Sequence, residues 1–218
     1  MTDDMSEYDI PVGPSELLRG INGDQYPTDG SVGARKHARW LASLPEKLHR
    51  IVADNMRKRP HGGIWLADAG LLDMDHPAWS ATLRVDTPRG WSAGSTWEDV
   101  GGAYDPQHRA VLVGHGRGRS YVTALHEFGH ALDDALYFPS EQPAFSEVHA
   151  RVLPLIQQTS PKAAEYYAQP NDVGKAELFA EGFAWFHTKQ SRFLGSAAAG
   201  RYLADYYPAL EAEVGITP

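Results

Sequence analysis

The stretch TALHEFGHALDDAL, Thr123 to Leu136, places His126 and His130 four apart with Glu127 directly after the first histidine. On an α-helix this spacing is about one turn plus 40° and a rise of about 6 Å, so both imidazoles leave one face. They can converge on a single metal ion at the Zn–N distance of roughly 2.0–2.1 Å. Glu127 lies about 100° further round, too far to be a third direct ligand. It can reach a water on that ion and serve as general base. The pattern therefore encodes two ligands and a base. Gly129 adds a second signal, because glycine in a helix interior costs about 1 kcal/mol against alanine. Its presence implies close approach of another backbone or of a substrate. Without a third ligand, the same residues describe a surface helix whose histidines are solvated or paired with Asp133 or Asp134.

A catalytic zinc usually has three protein ligands and one open position. The HExxHxxGxxH arrangement would need glycine at 133 and histidine at 136, where this chain has Asp133 and Leu136. Peptide deformylases take their third ligand from cysteine, and the sequence has none. A glutamate on a second helix remains, and NDVGKAELFAEGFAWFH, Asn171 to His187, supplies it. Glu177 and Glu181 fall four apart among Leu178, Phe179, Phe183 and Trp185, with Asp172 placed to cap the helix. Carboxylates in so apolar a helix must be paired or bound to metal. Glu177 reads as the zinc ligand and Glu181 as a residue behind it that accepts an imidazole N–H. The alternative is that both line the polar stripe of an amphipathic helix. Asp133, on roughly the face of the two histidines, could accept an imidazole N–H or a backbone contact. His108, His115, His149 and His187 stand in reserve as ligands should Glu177 not be one.

These residues need two helices and something to hold them. With 218 residues, 42% hydrophobic and 11% aromatic, the chain suffices for one well-buried core. Leu44, Leu48, Ile51, Val52 and Met56 recur at helical spacing, which predicts one or two helices over 31–60, with Pro45 in a first turn and a stop at Pro60. GGIWLAD and ATLRVD predict short strands, and GGAYDPQHRAVLVGHG predicts a hairpin turning at Asp105-Pro106. The glycine-rich GHGRGRS reads as a connector, and Ser120 as the N-cap of the histidine helix. Further helices are expected at about 144–153, 161–168, 173–189 and 197–207, bounded by Pro139, Pro143, Pro154, Pro170 and Pro208. The prediction is an α+β fold with a small twisted sheet and a helical C-terminal half. Residues 1–60 form an N-terminal extension and helical region; residues 61–218 form the metal-bearing domain, the whole being one continuous globular unit. Residues 1–30, rich in Pro, Gly and Asp, read as a loosely structured lead-in.

HEFGHALDD followed by AELFAEGF resembles the zinc peptidase domain of anthrax lethal factor and the related small Pro-Pro endopeptidases. The likeness covers about residues 101–189; residues 1–60 carry no resemblance. It implies a zincin-like metallopeptidase fold, with one catalytic zinc ion bound by His126, His130 and Glu177 and with Glu127 as the base. The family also has a tyrosine a few residues before the ligand glutamate, facing the metal. Here Pro170 stands seven before Glu177, so Tyr167, or its neighbour Tyr166, is the counterpart. The strand AVLVG is where the family offers an edge to an extended substrate, by main-chain pairing; as a sequence it fits a plain core strand equally well.

The expectation is thus a zinc endopeptidase that binds a polypeptide substrate in extended form, a possible toxin or effector. The rival is a non-catalytic protein whose zinc pins two helices together; the presence of Glu127 speaks against it, since a structural site needs no base. The net charge of −8 argues against sequence-independent nucleic-acid binding. The acidic start MTDDMSEYDIPVG is no secretory signal, and no run has transmembrane length. The expected location is the cytoplasm, or outside the cell by a leaderless route.

Overall fold

The computed structural model describes residues 18–19, 21, 31–74, 76, 87–88, 94–115, 122–189 and 197–216. The chain divides into two compact units, residues 1–117 and 118–218. Expectations for ATLRVD, for Ser120 and for most of residues 1–30 lie outside the described residues.

In the first unit, α1 (Val32–Ala42) starts at Ser31, whose Oγ accepts a bond from Ala34 N at 3.1 Å. It buries Ala34, Ala38 and Leu41. After a short turn that buries Leu44, α2 (Glu46–Met56) begins behind Pro45 and buries Leu48, Val52 and Met56 of the expected stripe together with Ala53, while Ile51 is half-buried. Among the described residues three strands follow: β1 (Gly63–Leu66), β2 (Gly102–Asp105) and β3 (Ala110–Val113). The order is β1-β3-β2, with β1 parallel and β2 antiparallel to β3. The hairpin forms where it is expected. Asp105 shapes its turn by accepting bonds from Gln107 N at 2.9 Å and His108 N at 3.3 Å. Gly62 lets the chain pass under the end of α2, since a Cβ there would sit 2.1 Å from Met56 O.

One expectation changes here. AVLVG is not an edge for a substrate to extend: β3 is the middle strand, hydrogen-bonded to β1 on one side and β2 on the other. The four buried residues of β3 reflect that place, because a central strand covered on both faces reads as a continuous apolar run.

The second unit is helical: α3 (Thr123–Ala135), α4 (Pro143–Thr159), α5 (Pro161–Tyr167), α6 (Val173–Thr188) and α7 (Ala197–Glu213). Its core is aromatic. Phe145 meets Phe179 edge-on at 5.3 Å, Phe128 stacks on Phe183 at 6.0 Å, and Tyr207 donates its hydroxyl to Phe179 O at 2.5 Å. Pro154 and Pro208 do not end helices as expected; both lie inside, in α4 and α7. Each removes one main-chain donor and crowds a carbonyl one turn back, a cost of about 3 kcal/mol in an isolated helix. Both prolines are exposed, while Val152 and Ile156 flank the first and Tyr207 and Leu210 the second in the core. Packing of those buried neighbours carries the helices on. Among the described residues, no helix is long and apolar enough to cross a membrane.

Candidate metal centre

The helices α3 and α6 cross at their glycine and alanine. A Cβ on Gly129 would lie 2.9 Å from Ala180 Cα and 3.1 Å from Ala180 O, closer than side-chain carbons approach backbone. Gly129 precedes His130 directly and Ala180 precedes Glu181 directly, so the contact of bare backbone brings two functional faces together. The signal in the sequence was the glycine, and the approaching backbone is α6.

The resulting geometry is compact. His126 Nε2 lies 3.2 Å from His130 Nε2 and 3.2 Å from Glu177 Oε2, and His130 Nε2 lies 3.4 Å from the same oxygen. Donor atoms bound tetrahedrally at roughly 2.0–2.2 Å stand about 3.3–3.6 Å apart, so the spacing is close to that of three corners around one ion. In their metal-binding forms all three atoms present lone pairs to one another, which is repulsive unless a positive charge sits among them. His126, His130 and Glu177 therefore form a group that could hold a metal ion. Two imidazoles and a carboxylate suit zinc and its first-row neighbours.

The charges of these side chains follow the same logic. Burial alone would disfavour the His126 imidazolium, but bonds to Glu177 and Glu181 and the nearby Glu127 carboxylate outweigh it, holding the pKa well above 6.5. Burial would likewise raise Glu177, yet the charge of His130 and the bonds from both histidines hold it well below the usual carboxylate range. A proton does provisionally what a cation would do.

Around the group, His126 donates through Nδ1 to Glu181 Oε2 at 3.1 Å. That bond leaves Nε2 turned toward the centre, the arrangement that fixes a ligating histidine. Glu127 is 8% exposed, beside His126 on α3. Asp133 takes the backbone option: it accepts from Ser140 N at 2.9 Å and Ser140 Oγ at 2.6 Å. Burial raises its pKa against the lowering effect of those bonds. The partner is a serine beyond the helix, tied to a turn in which Tyr137 and Phe138 both have positive φ. No periodicity in the sequence announces that pairing.

The remaining candidates are placed as follows. Asp172 sits at the N-cap of α6 without capping it, in a left-handed conformation, and binds Lys175 Nζ at 2.7 Å instead. Its φ of 63° turns the side chain from the orphan N–H groups it would have capped. Tyr167 is buried at the end of α5, and its carbonyl accepts from His149 Nε2 at 2.8 Å. That carbonyl also abuts Gly174 in the first turn of α6, one turn before Glu177. Tyr166 is half-buried, its ring 5.5 Å from that of Tyr167. Of the reserve ligands, His187 pairs with Glu211 at 3.2 Å, His115 lies 4.0 Å from Asp68, and His108 binds Asp105.

Fold and site together define a mixed α+β protein whose helical half brings two histidines and a carboxylate to one point that could hold a metal ion. Residues 34–200 match the family described as anthrax toxin lethal factor, N- and C-terminal domain, and the chain belongs to that family. The fold is similar to that of the Pro-Pro endopeptidase PPEP-2 from Paenibacillus alvei, with a TM-score of 0.59 at 20% identity over 91% of this chain and 97% of the other. No curated protein matches.

Proposed function

We propose that the protein is a zinc-dependent endopeptidase that hydrolyses peptide bonds within a polypeptide substrate bound in extended form. The observation that carries this reading is the convergence of His126, His130 and Glu177 with a carboxylate, Glu127, on the ligand helix itself. His126 and His130 supply neutral nitrogen donors, Glu177 a negative oxygen, and Glu181 fixes the tautomer of His126. A zinc ion held there supplies Lewis acidity toward a carbonyl and lowers the pKa of water to about 7. Glu127 takes the proton of the attacking water and delivers it to the departing amine nitrogen. The Tyr167 hydroxyl donates a hydrogen bond to the oxygen that becomes negative as the carbonyl carbon turns tetrahedral.

Mapping cleavage sites in a proteome-derived peptide library, with Glu127→Ala as the paired control, tests this directly. Glu127→Ala should retain zinc and lose about 10²–10⁴-fold in hydrolysis, the usual contribution of a positioned general base. Glu177→Ala should lose zinc. Equal cutting by the wild type and Glu127→Ala would remove the peptidase reading. Zinc retention without any cutting by either would favour a structural role for the ion.

A further inference from the structure

The histidine helix α3 ends in a turn whose backbone and side chains are at odds. After Leu136 closes the helix, Tyr137 N donates to Asp134 O at 3.1 Å and Phe138 N to Asp133 O at 2.8 Å. This paired pattern normally has glycine, in the left-handed conformation, directly after the cap. Tyrosine stands there instead, with a φ of 61°. Phe138 follows with φ 61° and ψ 61°, although it precedes Pro139 and a residue before proline is steered to extended backbone. In the left-handed region a Cβ crowds the following carbonyl oxygen, so both residues are strained.

Burial of the rings does not offset that strain. Tyr137 is 79% exposed and Phe138 42%, the two most exposed large apolar side chains among the described residues. The turn beneath them is nonetheless firmly held. Buried Asp133 accepts from Ser140 N and Oγ, Pro139 is buried, and Glu141 N donates to Phe138 O at 3.0 Å. Glycine and asparagine would form the same turn with less strain, so what the aromatic pair adds is two rings fixed in water. The local charge has one sign. From Ser120 to Ala150 the sequence holds five carboxylates and no lysine or arginine, and Glu141, three residues after Phe138, is exposed.

We infer that Tyr137 and Phe138 form a docking point for a polypeptide segment that carries arginine or lysine, with Glu141 as the counter-charge. An aromatic face attracts a cation within about 6 Å of its centre, and a guanidinium also stacks flat upon it. The acidic surroundings favour such a partner and repel an acidic peptide or an anionic lipid surface. Rings fixed before the partner arrives lower the ordering cost of binding, and this is the use to which the strained turn is put. The inference concerns binding alone, so it goes beyond the peptidase reading and stands apart from it.

The test uses the full chain carrying Glu127→Ala, which leaves the probe uncut whether or not the chain is a peptidase. The probe is a fluorescent hexapeptide of alternating arginine and leucine, with its aspartate–leucine counterpart as control. Fluorescence anisotropy should show binding of the first alone, weakening as salt rises. Adding Tyr137→Gly and Phe138→Asn removes both rings while easing the turn. Melting should then hold or rise, and affinity should fall about tenfold as two cation–ring contacts are lost. Glu141→Gln should weaken binding by about two- to fivefold and flatten the salt dependence. With the rings intact, the ring resonances of Tyr137 and Phe138 should shift as peptide is added. Unchanged affinity without the rings, or shifts confined to other residues, means that no docking point lies here. Binding to phosphatidylcholine vesicles in place of the peptide, or dimers in the ultracentrifuge, either one lost with the rings, would assign them to a lipid surface or to a second copy and overturn the proposal.

Discussion

At the scale of single residues, the division between groups that touch the ion position and groups that act through them makes distinct demands. Glu181 touches His126 and not the donor centre. Glu181→Ala would leave the three donor atoms in place and release the imidazole, so zinc affinity should fall by about 10–100-fold. Competition with a fluorescent chelator reads that change, and Glu181→Gln, which still offers an oxygen to Nδ1, should recover part of it. His49 makes a demand of another kind. It is buried, donates through Nε2 to Leu41 O at 2.8 Å, and has its pKa lowered to about 4 by burial, against the raising effects of Leu41 and Glu46. Between pH 6.5 and about 4 the unfolded chain binds a proton that the folded chain refuses. Stability is therefore present in full above pH 6.5 and is lost as pH falls toward 4, by about 3 kcal/mol in all. Urea unfolding at stepwise pH should show the slope, and His49→Gln should flatten it.

At the scale of elements, the crossing of α3 and α6 is the decisive contact. Gly129→Ala would gain about 1 kcal/mol in helix propensity. Its new methyl, however, meets backbone rather than a yielding side chain, and overpacking of that sort costs about 1–3 kcal/mol. The expected result is a small net loss of stability with a larger loss of zinc affinity, because separating the helices moves Glu177 from both histidines. Isothermal titration alongside thermal melting distinguishes the two effects; unchanged zinc binding would show that the donors tolerate the shift. Much at this scale was legible in the sequence. The spacing of His126 and His130, the apolar setting of Glu177 and Glu181, and the misplaced glycine each point inward to one arrangement. Less legible were features decided by tertiary neighbours. Pro154 and Pro208 read as boundaries because local rules penalise them, whereas the packing of Val152, Ile156, Tyr207 and Leu210 overrides those rules. The AVLVG strand read as an edge only through the family resemblance, and its apolar run fitted a core strand equally well. Its parallel partner β1 comes from 40 and more residues earlier, through a crossover that no pattern in the strand itself encodes.

At the scale of the whole molecule, the two units answer to different stresses. His49 belongs to residues 1–117 and titrates with acid; the His126, His130 and Glu177 group, which could hold a metal ion, belongs to residues 118–218, where a bound ion would answer to chelation. A ligand at a hundred times its Kd stabilises by about 2.7 kcal/mol, which for a unit of this size is roughly 10 °C or more in melting midpoint. Removing metal should lower the melting of the helical unit by that order without unfolding it at room temperature, because the pairing of His126 with Glu177 and Glu181 keeps the buried charges matched. Differential scanning calorimetry with and without chelator checks both halves of that expectation.

The chain has no cysteine, and so no covalent tie between distant parts of its backbone. His126 and Glu177 lie 51 residues apart and meet at a single point. With an ion between them they become a cross-link, closing a loop whose entropic equivalent in a disulfide is about 3–4 kcal/mol. Such a link ignores redox potential: it holds equally in a reducing cytosol and an oxidising exterior, and yields to free metal concentration instead of thiols. Catalytic competence and the mechanical integrity of the helical unit would then rise and fall together with the metal supply.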